Sequence, residues 1–315
     1  MNRLRHQHII AVLGVIVMAA TGCHRAPRPP LIAIIVPSQD NPFFKAEADA
    51  ASSHARALGY RVRVDSHNDD AYTQDNLIDA AIASNAKAII LDNAGTDASI
   101  SAVRRATRAG IPCFLIDRGI SATGIAKAQI IADNTQGAEL VATQFVKDLP
   151  AGGDYAELLG IESDTNAQVR THGFHAVLNQ DPKLHLVAAQ SANWSQSDAF
   201  SKTEIILESR AQLVGIIAGN DTMALGAVAA VRSAGRRNII ITGFDGSPDA
   251  LAAIRSGELA ATALQPATIL ASHAIDEVQR YLKTGNTGAP EIQIVPCELV
   301  TRDNVNDFAG FARIR

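Results

Sequence analysis

Phe43 and Phe44 follow Asn41 and Pro42 in "SQDNPFFKAEADAASSHARALGY", residues 38–60, and the apolar stretch "LIAIIVPS" runs directly before them. An Asn side chain can accept an orphan N–H at a helix start, and Pro suits the first helical position. The two rings therefore sit at a strand-to-helix turn, where open α/β sheets hold ligands. Aromatic residues make up only 4% of the chain and Trp194 is its sole tryptophan, so rings spent at such a turn carry information. Other chemistry-bearing patterns are sparse. "HGFH" spaces His172 and His175 to share a helix face, but no neighbouring acid or thiol in the sequence completes a metal set, and a solvated or helix-packing pair is the expected reading. No Gly-rich phosphate loop follows a strand and no G-x-S-x-G elbow is present. The pattern favours binding over catalysis, with no metal and no cofactor.

The elements that must position these residues alternate along the chain. Short apolar runs at 31–36, 61–65, 88–91, 112–116 and 128–132 fill the first half, and runs at 155–159, 184–189, 213–218, 238–242 and 259–264 fill the second. Helical patterns such as 70–84, 96–109 and 222–234 separate them, several ending in Gly ("RALG", "TRAG", "RSAG") as helix C-caps favour. Strand–helix alternation predicts parallel sheets with right-handed crossovers. Ten strands suit two five-stranded lobes better than one sheet. Polar clusters follow the apolar strands at one end: "VPSQDN", "LDNAGTD", "IDRG", "IADNTQG", "GNDT" and "GFDGSPD". Two such edges facing each other make a cleft between hinged lobes.

The N-terminus reads as a targeting segment. "MNRLRHQH" is basic, "IIAVLGVIVMAA" is an apolar run too short to span a bilayer comfortably, and small residues precede Cys23. This resembles a bacterial lipoprotein box, in which Cys23 is lipidated and becomes the new N-terminus; an ordinary signal peptide or an uncleaved anchor is the alternative. Residues 24–30 then form a short extended tether. The net charge of −4, with both signs mixed over 315 residues, offers no footprint for nucleic acid. Cys113 and Cys297 lie in apolar runs and read as small buried hydrophobes. An exported compartment permits a disulfide between them, and the sequence leaves that pairing open.

Together the edge motifs resemble the periplasmic sugar-binding proteins of ABC importers, the ribose-binding-protein group with the type I fold. The likeness runs through "IAIIVPSQDNPFF", "IPCFLIDRG", "IADNTQGAELVA", "AQVRTHGF", "AGNDTMALGAVAAVRSAG" and "ITGFDGSPDALAAIRSGELAATALQPA", in family order across the mature chain. Repressors of the lactose-repressor family share these lobes, but an export signal occupies the place of their DNA-binding headpiece. The resemblance implies an aromatic clamp of Phe43 and Phe44 from one lobe and Trp194 from the other, stacked on the C–H faces of a sugar ring. It implies a polar rim for the hydroxyls: Asp117 and Arg118 on the first lobe, and Arg170, Asn220, Asp245 and Gln265 on the second lobe and hinge. Asn41 is expected to bond the ligand while capping its helix, and Phe244 to form a wall beside Asp245. Taken singly, each position has a plainer reading. Asp117–Arg118 fits an exposed ion pair, Asn220 a helix cap, Asp245 a turn residue, Arg170 a solvated helix face and Phe43 core packing.

The same resemblance implies lobes of 31–133 plus 266–293 and of 134–265 plus 294–315, with chain crossings near 133–134, 265–266 and 292–295. It implies a monomer that closes on a monosaccharide and delivers it to a membrane permease driven by an ATPase, from the periplasm or the outer face of the cell membrane. A ribose-like pentose leads, although "SQD" before Asn41 and a Trp at position 194 depart from the usual ribose pattern. A sugar sensor presenting its ligand to a chemoreceptor or sensor kinase is the second reading, and a sugar-modifying enzyme has the poorest motif support.

Overall fold

The computed structural model describes residues 28–314, so the signal segment, Cys23 and the first part of the tether lie outside the described residues. The first half runs β1 (Leu31–Val36), α1 (Pro42–Ala57), β2 (Arg61–Ser66), α2 (Ala71–Ala83), β3 (Ala88–Leu91), α3 (Ile100–Arg108), β4 (Cys113–Ile116) and β5 (Ala128–Ala132). The second runs α4 (Asn134–Asp148), β6 (Gly153–Leu159), α5 (Thr165–Leu178), β7 (Leu184–Ser191), α6 (Gln196–Ser209), β8 (Leu213–Ala218), α7 (Asp221–Ser233), β9 (Ile240–Thr242), α8 (Pro248–Ser256) and β10 (Ala261–Leu264). Then follow α9 (Ala267–Thr284), β11 (Ile292–Val295) and β12 (Glu298–Thr301).

The strands that read as unbroken apolar runs are central because both of their faces are covered. In β1, Ile32, Ile34 and Val36 join one core while Ala33 and Ile35 join another on the opposite side of the sheet. Helices on each face follow from the crossovers, and their starts are capped as the sequence suggests. Asn41 accepts from Phe43 N–H, Asp70 from Thr73 N–H and Asn220 from Met223 N–H.

Each sheet has six strands, not the expected five. The orders are β11-β5-β4-β3-β1-β2 and β12-β10-β9-β8-β6-β7. The additional strand in each case comes from the C-terminal stretch "EIQIVPCELV", which the ten-strand count did not include. As an edge strand, β11 leaves Ile292 48% and Ile294 53% exposed, so its pattern alternates where the central strands do not. β11 is parallel to β5, whereas β12 is antiparallel to β10. Pro296, which has no N–H to donate, separates the two and marks the last passage between sheets. The earlier passages follow β5, at Asp133, and β10, at Gln265–Pro266. β11 thus belongs whole to the first sheet, and the expected boundary at 293 falls inside it. Cys113 and Cys297 are free and buried.

The polar loops after β1, β3, β4, β6, β7, β8, β9 and β10 share the carboxyl ends of the two sheets and converge on one cleft. Two lobes, each a sheet with its helices, are closed against each other there.

Candidate functional site

The closed cleft leaves a cavity of only about 20 Å³ between the lobes, far below the ~300–1,000 Å³ of pockets for drug-sized ligands. Ten of the expected residues line it: Asn41, Phe43, Phe44, Asp117 and Arg118 from the first lobe, and Arg170, Trp194, Asn220, Asp245 and Gln265 from the second lobe and hinge. Three of them hold positive φ at strand ends, Asp117 at 57°, Trp194 at 59° and Asp245 at 121°. Such conformations cost about 1–3 kcal/mol each outside glycine and concentrate where side chains must be aimed.

On the first lobe, the Phe43 and Phe44 rings meet edge to face at 5.7 Å. Phe43 has a second edge contact at 5.7 Å with Phe311, a C-terminal ring that the sequence reading did not connect to the cleft. The Arg118 guanidinium lies 5.0 Å from the centre of the Phe44 ring. It donates through Nη1 to Asp69 Oδ1 at 2.6 Å and to Asn93 O at 3.1 Å. Asp117–Arg118 is therefore no exposed pair; both side chains are buried.

On the second lobe, Arg170 lies flat over Phe244 with 3.9 Å between guanidinium carbon and ring centre. Its Nε donates to Asn134 Oδ1 at 2.8 Å and its Nη1 to Gly219 O at 2.8 Å and Asp245 Oδ1 at 3.3 Å. Gln265 Nε2 donates to the same Asp245 oxygen at 2.8 Å. Asn220 both caps α7 and lines the cavity, so its two readings hold together.

Phe244 departs from the expectation. It is fully buried and does not line the cavity. The turn after β9 sends Asp245 inward and its neighbour the other way, so that Phe244 packs beside Gly137 and beneath Arg170. It serves as a platform for Arg170 rather than as a wall. The reading of "HGFH" also changes in part, since Glu157 of β6, a carboxylate distant in sequence, accepts from the His175 ring at 2.8 Å. That hydrogen bond raises the His175 pKa.

Two residues of the cavity were missed, Asp164 and Asn166. They occupy the loop after β6 and the start of α5, in "GIESDTNAQVR". The signal was the same as elsewhere, a polar cluster at a strand's carboxyl end, and this cluster simply went unread. Asp164 Oδ2 accepts from Trp194 Nε1 at 3.0 Å and thereby fixes the indole.

Charge in the site is uneven. Arg118 is within 4 Å of Asp69, Asp92, Asp117 and Asp164. Burial alone would lower its pKa, and these four carboxylates together raise it. Burial pushes Asp117 up to about 6 against the opposing pull of Arg118 and Arg170. Asp245 is raised by burial, against Arg170. Behind the wall, Glu47 of α1 and Asp92 are both raised by burial, and their carboxyls face each other, a contact that calls for a proton on one of them. In the cavity itself, Gln265 Oε1 has no hydrogen-bond partner, whereas Arg118 Nε lies 2.9 Å from Asp164 Oδ2. A buried acceptor without a partner beside the cavity is suited to a ligand hydroxyl, since leaving it unpaired costs about 1–3 kcal/mol. Ring faces and a charged rim suit such a ligand, and among the described residues lining the cavity no side-chain nucleophile is held against a base.

The glycine at 160 carries the ring clamp. A Cβ there would collide with the Trp194 indole. Gly160→Ala is expected to displace the ring, since overpacking costs about 1–3 kcal/mol. Affinity should fall about tenfold with a shifted Trp194 emission maximum and an intact cooperative melt. Unaltered emission and affinity would show that Gly160 does not hold the ring.

A profile of the periplasmic binding protein domain matches residues 32–287. The chain is 52% identical over 303 residues to the D-apiose import binding protein of Paraburkholderia graminis, covering 96% of each chain. It is 33% identical over 253 residues to the ribose import binding protein of Haemophilus influenzae, covering 80% of this chain and 85% of the relative. Among solved structures, it resembles an ABC transporter periplasmic solute binding protein from Actinobacillus succinogenes with bound D-allose. That match has a TM-score of 0.83 and 28% identity, covering 89% of this chain and all of the other. The chain belongs to the periplasmic binding protein family, with its type I two-lobed α/β fold. It is a binding protein of the periplasm and not an enzyme.

Proposed function

We propose that this chain is the lipid-anchored, sugar-binding component of an ABC importer. Lipidated Cys23 and the 24–30 tether hold it to a membrane, and its two lobes close as a monomer on a monosaccharide. The closed form docks on a permease driven by its ATPase. The observation that carries this reading is the convergence of three aromatic rings and a buried charged rim on one small cavity between the lobes. Closure follows from differential affinity, because a sugar lying on one lobe completes its bonds only when the other arrives.

D-apiose, a branched pentose, is the first candidate ligand. Two relatives, at 52% and 50% identity, are D-apiose import binding proteins, and the departures from the ribose pattern at Trp194 agree with a sugar other than ribose. Titration of the full-length protein with D-apiose, D-ribose, D-allose and myo-inositol, followed by Trp194 emission, tests the assignment. A saturable change with D-apiose at the lowest concentration is expected. Silence toward every monosaccharide, repeated by calorimetry, overturns it.

A further inference from the structure

Four consecutive residues of the second lobe, Ser163 to Asn166, abut the first lobe where the cavity ends. Gly95 of the first lobe lies so close to Ser163 that a Cβ on it would come within 3.7 Å of the Ser163 carbonyl oxygen. Asp164 Oδ2 lies 2.9 Å from Arg118 Nε. The hydroxyls of Thr165 and Thr96 are hydrogen-bonded to each other. Asn166 Nδ2 donates to Asp117 Oδ1 at 3.2 Å. Among these contacts, the Asp164–Arg118 and Asn166–Asp117 pairs join groups that also line the cavity.

We infer that Asp164 and Asn166 form a clasp on the Asp117–Arg118 pair that holds a fraction of the molecules closed without sugar and so sets the affinity for it. This rests on the sugar-binding reading above, and deepens it by naming positioning residues for closure. Asp164 is suited to the part because its oxygens divide the work. Oδ1 accepts from Asn166 N–H at 2.8 Å and caps α5, while Oδ2 serves both the Trp194 indole N–H and Arg118. One carboxylate thus ties the clamp ring of its own lobe to the cation of the other. Asn166 is itself braced by Asn134 Nδ2 at 3.2 Å, from the helix that follows the first crossing between sheets. The apparent dissociation constant of a closing protein is its intrinsic value divided by the competent fraction. A ligand-independent clasp therefore strengthens binding without touching the sugar.

The test uses the full-length protein in detergent, with Asp164→Asn, Asn166→Ala and the double variant. Asp164→Asn keeps one acceptor for the α5 cap but sets an NH2 against the indole N–H and Arg118, so it breaks the clasp and loosens the ring together. Asn166→Ala leaves the Asp164–Trp194 bond in place and reads the clasp by itself. Small-angle scattering of the sugar-free protein reads the closed fraction, and calorimetry with D-apiose and D-ribose reads affinity. Each single variant should be more open without sugar and bind about tenfold more weakly, as loss of a charge-assisted bond implies. All variants should reach the wild-type radius at saturation, with melting curves close to wild type. An unchanged sugar-free scattering profile in the double variant overturns the clasp, whether or not sugar binds. A wild-type chain that binds neither sugar removes the ligand reading instead, and the sugar-free comparison still decides the clasp.

Discussion

Replacing Arg118 by alanine is expected to lower affinity for sugar by about a hundredfold or more and also to cost about 3–5 kcal/mol of stability. The first effect follows from removing charge-assisted bonds, each worth about 1.5–3 kcal/mol in a closed site. The second follows from the surroundings. Arg118 is the cation shared by Asp69, Asp92, Asp117 and Asp164, and Asp92 is fully buried. Breaking a buried pair strands its partner, which is the source of the ~3–5 kcal/mol. Proton uptake by a stranded carboxyl limits the loss, so it should be largest at alkaline pH. Arg118→Lys keeps the charge but not the planar fork whose Nη1 reaches Asp69 and Asn93 while its Nε faces Asp164, and should recover stability better than affinity. Adding Asp92→Asn to Arg118→Ala separates the effects, returning stability while binding stays lost. Urea denaturation with calorimetry on the same samples measures both. An Arg118→Ala protein that is as stable as wild type and binds sugar normally would contradict the central place given to this cation.

From the sequence alone, Arg118→Ala looks like a binding variant with an untouched fold. The difference shows where sequence reading stops. "IDRG" marks Asp117 and Arg118 because they follow an apolar strand, and the same rule finds Asn220 and Asp245, whereas Gln265 comes only from the family resemblance. It does not reveal that Asp69 arrives from the β2–α2 turn, Asp92 from the end of β3 and Glu47 from the middle of α1. Those meetings depend on strand order, β4-β3-β1-β2, which no local pattern encodes. Central strands were legible because burial on both faces leaves unbroken apolar runs. The edge strands β11 and β12 were not, because β11 alternates exposed and half-buried residues, β12 fully buries only Val300, and each pairs with a strand distant in sequence. Phe244 illustrates a finer limit. Its neighbour Asp245 was placed correctly beside the cavity, yet a single backbone turn at φ 121° sends the two side chains apart. Direction at such a turn is set by backbone conformation, and residue type alone leaves it open.

Glu47→Gln is expected to stabilise the protein at alkaline pH and to flatten the dependence of its stability on pH. Glu47 lies one turn beyond Phe43 on α1, fully buried, with its carboxyl against that of Asp92, a contact that becomes a hydrogen bond only when one of the two is protonated. Burial is the largest influence raising its pKa, and Asp92 and Asp117 raise it further, while Arg118 opposes them. Asp92 is raised in the same direction, again by burial first. The folded protein therefore retains protons that the unfolded chain releases above the ordinary values of 4.5 for Glu47 and 3.8 for Asp92. Their contribution to stability is fully present below those values and declines as pH rises toward the folded-state pKa. The slope is at most about 1.4 kcal/mol per pH unit for each retained proton. His67, whose pKa burial lowers, works in the opposite sense, gaining stability as pH rises through its ordinary 6.5. The two signs partly cancel in the wild type, so the difference between wild type and variant is the informative quantity. An amide at 47 is nearly isosteric, carries no charge at any pH and can donate to Asp92. Near pH 4.5 the two proteins should be similar in stability, and the advantage of the variant should widen steadily toward pH 8. Urea denaturation at pH 5, 6.5 and 8 measures this. Parallel stability profiles would mean that Glu47 is ionised in the folded protein, and Arg118 would then have to offset all five surrounding carboxylates by itself.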